Sequence, residues 1–135
     1  MKRTFVDAGV LIAAARGTDS LFARALGILD DPEREFASSA FVKLETLPKA
    51  IYQRKMDEVA LYQTFFDQVR HWADGLDDLA PAAYEEACRC GLNAVDALHV
   101  AAAVAVGADE LVTTERATSP LHRTKAVQVV SIRES

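Results

Sequence analysis

The chain has few cysteines, no long hydrophobic run and no excess of basic residues. Its two cysteines, Cys88 and Cys90, are two positions apart on a predicted helix and therefore point in different directions. No histidine or further cysteine beside them completes a zinc site, so we expect reduced thiols in a cytoplasmic protein. No stretch approaches the ~20 apolar residues of a membrane span, and we expect no membrane association.

The balance of charge does not mark a nucleic-acid-binding protein. Fifteen lysines and arginines face 20 aspartates and glutamates, for a net charge of −5, whereas nucleic-acid-binding domains usually carry a basic face. A cation bound among the acids would neutralise part of this charge. The length of 135 residues is that of one domain, which we place at residues 1–135.

Four acidic residues lie in or beside segments that should be buried. Asp7 ends an apolar run, Glu45 lies within a helical pattern, Asp96 opens an apolar helix, and Glu115 follows the apolar residues 111–114. A buried carboxylate without a partner is costly. Several carboxylates that converge on one place are explained by a shared hard divalent cation, for which we expect Mg²⁺ or Mn²⁺.

Each acid also has a local alternative. Asp7 can cap the helix that follows it, Glu45 can face solvent, Asp96 can complete a capping arrangement with Asn93, and Glu115 can be an ordinary loop residue. Taken singly, each placement is weak evidence. Taken together, the four placements indicate one site.

The helix predicted from Asn93 to Val106 carries the strongest single signal. Its only polar side chains are Asp96 and His99, and a helix that is apolar all round is buried. Its first turn, with Asp96, therefore opens onto an internal crevice. We interpret His99 as a hydrogen-bonded core histidine, because carboxylate-rich sites for Mg²⁺ or Mn²⁺ seldom include imidazole.

Strands that alternate with helices predict an α/β fold in which helices cover both faces of a parallel sheet, a three-layer α/β/α arrangement. Ligands of such sheets bind beyond the carboxyl ends of the strands, where the strand order reverses. Asp7 and Glu115 are each the residue just past a predicted strand. The predicted strands are residues 5–6, 35–38, 111–114 and 127–132, with a possible short strand at Leu79.

The remaining pattern predicts further helices. Thr18 or Asp19 caps a helix at residues 21–29, and another helix covers residues 82–90 after Pro81. Residues 39–54 form a helix that Pro48 bends or divides. One face of that helix carries apolar residues, namely Phe41, Leu44, Leu47 and Ile51.

A long helix is predicted from Asp57 to Ala73, and it carries more aromatic side chains than one core contact needs. Phe65, Phe66 and Trp72, together with Tyr52 on the preceding helix, exceed what a small core readily uses. Exposed apolar patches of this kind mark interfaces.

The four acids and their segments resemble the PIN-domain ribonucleases, and the length and element order are similar to single-domain VapC-type toxins of bacterial toxin–antitoxin pairs. The residues that carry the resemblance are 5–7, Glu45, 96–103 and 111–116. It implies that the parallel sheet is short and five-stranded. It also implies a metal-dependent endoribonuclease in which Asp7, Glu45, Asp96 and Glu115 hold one or two Mg²⁺ or Mn²⁺ ions and a water is activated for RNA phosphodiester cleavage. The chain departs from the pattern at Ala8–Gly9, which lack a side-chain donor, and at Glu115, where aspartate is common.

The resemblance also implies partners. We expect an RNA substrate contacted by Arg116 and Lys43, a homodimer, and a cognate antitoxin whose helical segment lies in a groove beside the acids. A second function stays open, in which a PIN fold with weakened catalysis serves as a protein-binding module. The absence of side-chain donors at Ala8–Gly9 and the surplus aromatic residues favour this alternative.

Overall fold

The computed structural model describes residues 1–17 and 19–133. Six α-helices, five strands and a 3₁₀ helix follow one another in these segments. In chain order they are β1 (Lys2–Val6), α1 (Ala8–Arg16), α2 (Ser20–Leu29), β2 (Arg34–Ser39), α3 (Ala40–Tyr52), α4 (Met56–Gln68), β3 (His71–Ala73), α5 (Leu76–Cys90), α6 (Ala94–Ala105), β4 (Glu110–Thr113), the 3₁₀ helix Pro120–Arg123 and β5 (Gln128–Ser131).

The strands form one parallel sheet in the order β3-β2-β1-β4-β5. The chain adds β2 and β3 on one side of the central strand and then returns to add β4 and β5 on the other. The order therefore reverses between β1 and β4, and the crevice of such a sheet lies beyond the carboxyl ends of these two strands. The predicted α/β class and five-stranded parallel sheet are confirmed.

The middle of the chain differs from the prediction. The helix predicted from Asp57 to Ala73 begins at Met56 and ends at Gln68, and the residues after it form the edge strand β3. Leu79, the possible strand, is buried in α5, and Pro81 lies inside that helix instead of preceding it. Three residues are too few for a hydrophobic pattern to distinguish a strand from a helix. The conformation of this segment is instead decided by its pairing with β2, in which Trp72 lies beside Ser38.

Helix α3 is continuous through Pro48 and buries a different face from its apolar stripe. Its buried residues are Val42, Thr46 and Ala50, whereas Leu44 and Ile51 are 66% and 55% exposed. Small side chains at four-residue spacing let the helix pack closely, and the Thr46 hydroxyl is satisfied by donating to the Val42 carbonyl at 2.9 Å.

The expected aromatic surface is largely core. Phe65 and Phe66 are buried, and Trp72 is half-buried against Phe66, with ring centroids 5.9 Å apart. Phe65 also packs on Phe36 of β2 at 5.5 Å between centroids. Tyr52 alone of the four is an exposed aromatic, at 89%. The assignment of Phe65 to an interface was therefore wrong, and Phe66 is a core residue.

Three smaller expectations concern helix starts. Asp19 caps α2, where its carboxylate accepts a hydrogen bond from the Leu21 amide at 3.0 Å; the alternative cap, Thr18, lies outside the described residues. Asn93 caps α6 as predicted. The start of α4 was placed too late, because its cap position is Lys55 and Asp57 lies in its first turn.

Candidate functional site

The row of residues just beyond the central strands forms the floor of the crevice. Phe5 lies beside Ala37, and Val6 lies beside Val112. Continuing these registers, by two steps on the β2 side and by one on the β4 side, places Asp7 between Ser39 and Thr113. The Asp7 amide donates to the Val112 carbonyl at 3.1 Å, which extends the parallel ladder to the site.

Asp7 is a buried carboxylate without a basic partner. It is 8% exposed and caps α1, where Oδ1 accepts a hydrogen bond from the Val10 amide at 3.2 Å. Burial raises the pKa of Asp7 from 3.8 to about 6 and the Glu45 charge adds to the rise, while the Thr113 side chain and His99 oppose it. No lysine or arginine within residues 1–17 and 19–133 forms an ion pair with Asp7.

Glu45 reaches from α3 to the histidine of α6. His99 Nε2 lies 2.5 Å from Glu45 Oε1, and the imidazole is 4% exposed against the ring of Phe5, with centroids 6.0 Å apart. One proton therefore lies between His99 Nε2 and the carboxylate oxygen of Glu45. His99 Nδ1 is buried without a hydrogen-bond partner in the described chain. The prediction of a hydrogen-bonded core histidine is confirmed.

Asp96 lies in the first turn of α6 and is half-buried. Its amide donates to Asn93 Oδ1 at 2.8 Å, and Asn93 Nδ2 lies 3.3 Å from Asp96 Oδ2. Burial raises the pKa of Asp96, and the charges of Glu115 and Glu45 raise it further. Asp96 is therefore held in the first turn by the cap residue Asn93 and lies within the field of two other acids.

Glu115 is exposed in the loop after β4. Its amide donates to Thr113 Oγ1 at 3.0 Å, so the hydroxyl beside Asp7 also holds the loop. Thr114 fills space on the other side: a Cβ added at Gly9 would lie 2.3 Å from Thr114 Oγ1 and 3.3 Å from Asp7 Oδ1. The side chain missing at position 9 thus makes room for the Thr114 hydroxyl next to the acid.

The four predicted acids share a field but are not gathered into a coordination shell. Asp7 interacts electrostatically with Glu45, and Asp96 with Glu45 and Glu115. In the described part of the chain, no three Asp, Glu, His or Cys side chains stand close enough to hold a metal ion. The donor chemistry nevertheless fits a hard divalent cation: all four groups offer oxygen ligands, the pKa values of Asp7 and Asp96 are raised, and no lysine or arginine of the described chain forms an ion pair with any of the four.

The two predicted RNA contacts occupy different surroundings. The Lys43 ammonium lies over the Trp72 ring, 4.6 Å from its centroid, and 5.6 Å from that of Phe66. Arg116 is exposed and lines a small cavity that also contains Arg24 and Arg133. The Thr113 hydroxyl, at a strand end two residues before Glu115, is placed by the sequence where it could hold a carboxylate, and in the structure its side chain hydrogen-bonds Asp7.

The comparisons agree with this architecture. The family model of the PIN domain matches residues 4–123, and the chain belongs to the PIN domain family. A comparison with curated proteins finds no match. Among the residues that the structure describes, no helix is both long and apolar enough to cross a membrane.

Solved structures show the same fold at low identity. VapBC2 from Rickettsia felis, bound to a DNA fragment from its promoter, aligns with a TM-score of 0.70 at 17% identity and covers 96% of this chain and 98% of that chain. VapBC-1 from nontypeable Haemophilus influenzae gives 0.69 at 13%, with 96% and 98% covered. FitAcB from Neisseria gonorrhoeae gives 0.68 at 17%, with 96% and 97% covered.

Proposed function

We propose that the chain is a metal-dependent endoribonuclease that hydrolyses RNA phosphodiester bonds. The observation that carries this proposal is Asp7: a carboxylate 8% exposed, at the switch point of a parallel sheet, with its pKa raised to about 6 and a second acid, Glu45, within its field. A protein that retains such an unfavourable group at its ligand crevice gains from a cation there. Membership of the PIN domain family supports the same reaction class.

The four acids are the metal ligands in this proposal. Asp7, Glu45, Asp96 and Glu115 would hold one or two Mg²⁺ or Mn²⁺ ions. When bound, such an ion would lower the pKa of the attacking water and neutralise charge on the scissile phosphate. The α1 terminus and Thr113 orient Asp7, while Asn93 fixes the turn that presents Asp96.

His99 is a positioning residue in this scheme. Its contact at 2.5 Å restrains the carboxylate of Glu45, which is itself 39% exposed and otherwise free to rotate into solvent. A histidine that hydrogen-bonds a ligating group orients that group and tunes its basicity. Because three donors are not yet close enough to hold an ion, ion binding should draw the acids together.

A metal titration of the full chain tests the proposal. Millimolar Mn²⁺ or Mg²⁺ should raise the melting temperature, because a cation relieves repulsion among the acids, and RNA cleavage should require the ion. Asp96→Asn should remove most of the rise and the cleavage. Asp57→Asn is the matched control, since Asp57 occupies the first turn of α4 as Asp96 occupies that of α6. Absence of both the rise and the cleavage in the unmodified chain would contradict the proposal.

We further propose that this nuclease is the toxin of a toxin–antitoxin pair, a cytoplasmic homodimer that an antitoxin protein inhibits. The VapBC structures of similar fold support a protein partner, and two unpaired cysteines are compatible with the cytoplasm. Light scattering should give the mass of a dimer at high micromolar concentration; a strict monomer would contradict the homodimer.

The protein-binding module is the second candidate. The separation of the acids from a coordinating arrangement favours it, as does the loss of a donor at Gly9. A chain that binds its antitoxin yet shows neither a metal-induced rise in melting temperature nor cleavage would establish it. Cleavage that stops when the antitoxin is added would exclude it.

A further inference from the structure

A small polar cavity lies beside the acid site and is lined by arginines from three separate segments. Its volume is about 280 Å³, and its lining residues are Asp19, Ser20, Leu21, Arg24, Arg116 and Arg133. The arginines come from α2, from the loop after β4 and from the residues after β5. This convergence is a property of the tertiary structure alone.

Backbone carbonyls at the ends of the last two strands hold two of these arginines in place. Arg133 Nε donates to the Thr114 carbonyl at 2.8 Å, and Arg24 Nη1 donates to the Ile132 carbonyl at 2.9 Å. Thr114 is the residue before Glu115 and packs against Gly9 in the acid site. The cavity and the acids are therefore joined through one residue.

A purely structural role accounts for only part of this arrangement. The bond from Nε leaves both terminal nitrogens of Arg133 for another acceptor. The Arg116 side chain forms no hydrogen bond or ion pair with any residue that the structure describes. Asp19 is the one acid in the lining, and its carboxylate is engaged by the Leu21 amide. Leaving Arg24 aside, the arginines Arg116 and Arg133 still outnumber the single acid among the described lining residues, in a protein of net charge −5.

We propose that this cavity binds a backbone phosphate of the RNA adjacent to the phosphate that is cleaved. The planar guanidinium groups match phosphate oxygens in pairs, and the shared Thr114 places the cavity next to Glu115. The subsite rests on the proposed nuclease function. It positions the strand and carries no base specificity, as contacts to phosphates do.

Binding of a non-cleavable 2′-O-methyl RNA of about 12 nucleotides, followed by fluorescence anisotropy, tests the subsite. Arg116→Gln combined with Arg133→Gln should weaken binding about tenfold or more. The slope of log affinity against log salt concentration should fall by about 0.7 for each phosphate that the variant no longer neutralises, the value for single strands. The matched control is Arg70→Gln combined with Lys125→Gln, two exposed cations away from this cavity, which makes the same change in charge and should alter binding less than twofold.

Further variants separate an effect on RNA binding from an effect on folding. If Arg133→Gln lowers the melting temperature, Arg116→Gln alone serves, because the Arg116 side chain makes no hydrogen bond or ion pair in the described chain. Arg133→Lys should keep the charge but recover only part of the affinity. Equal weakening in the test and control pairs, or an unchanged salt slope, would overturn the proposal. So would tighter binding of an oligoglutamate peptide than of the RNA.

The two proposals can fail separately. If the protein binds the RNA through Arg116 and Arg133 but cleaves no RNA in Mn²⁺, the subsite proposal stands and the nuclease proposal fails. If the double variant cleaves RNA with an unchanged KM, the nuclease proposal stands and the subsite proposal fails.

Discussion

Two buried carboxylates at opposite ends of the same pair of strands have opposite surroundings. Glu110, at the amino end of β4, is 2% exposed. It accepts a hydrogen bond from Thr4 Oγ1 at 2.6 Å and another from Arg34 Nε at 3.0 Å, and Lys2 Nζ lies at 3.7 Å. Its charge is matched by neighbouring cations of the protein itself.

Asp7, at the carboxyl end of β1, is nearly as buried but is matched by no lysine or arginine in the described chain. Its neighbours are a threonine, a histidine and another acid. Cations of the protein pair with the buried acid at the amino end of these strands, whereas no lysine or arginine of the described chain pairs with the buried acid at the carboxyl end.

Burial of an acid is therefore a poor mark of function, and the missing counter-charge is a better one. Glu86 makes the same point within α5: it is 6% exposed, bonds Thr124 Oγ1 at 2.8 Å and pairs with Arg89. Glu110 and Glu86 are structural acids by this criterion. Asp7 is the acid for which we propose a bound cation.

The largest expected effect comes from removing the charge of Glu110, the buried acid that is paired with cations. Glu110→Gln keeps the size of the side chain but leaves Arg34 and Lys2 without their shared partner, and we expect a loss of about 4 kcal/mol in the free energy of unfolding. Urea denaturation measures it, with the exposed Glu33→Gln as a control that should change little. The metal-induced rise in melting temperature should survive; a loss below about 1 kcal/mol would show that the pairing is not structural.

The second effect has the opposite sign. Asp7→Asn retains a cap for α1 and removes a charge whose pKa is raised from 3.8 to about 6, so the metal-free protein should gain about 3 kcal/mol at neutral pH, at ~1.4 kcal/mol per pKa unit. The same variant should lose the response to Mn²⁺. A destabilised Asp7→Asn protein would refute the contrast with Glu110.

The pH dependence follows from the same shift. Because the folded-state pKa of Asp7 lies above its unfolded value, the folded protein binds the proton more tightly, and this acid destabilises the fold above about pH 6. That penalty should decline as pH falls from about 6 to about 4. Urea denaturation without metal should show the free energy of unfolding of the unmodified chain approaching that of Asp7→Asn over this range, and parallel curves would contradict it.

The smallest expected effect concerns the packing of Gly9 and Thr114 beside Asp7. Gly9→Ala should destabilise the protein, because its Cβ would meet Thr114 Oγ1. In a Thr114→Ala background the same substitution should become mildly stabilising, because alanine favours a helix over glycine. We expect a coupling free energy of about 2 kcal/mol from the double-mutant cycle; additive effects would show that Thr114 does not fill this space.

The local features of the site were predictable, and the partnerships were not. Asp7 and Glu115 follow strands that their own apolar residues indicate, and Asn93 precedes Asp96 at capping distance, so the candidate acids could be chosen from the sequence. The contact between Glu45 and His99 spans 54 residues and the bond between Thr4 and Glu110 spans 106. No local pattern contains such pairs.

The sequence by itself determined the order of most helices and strands, the parallel sheet and the four candidate acids, because hydrogen bonding and apolar periodicity within a segment are local. Only the tertiary structure decided that residues 71–73 are a strand, that Glu110 is compensated while Asp7 is not, and that Arg24, Arg116 and Arg133 share a cavity. These outcomes depend on which segments the strand order makes neighbours, and strand order is set by the packing of the whole sheet.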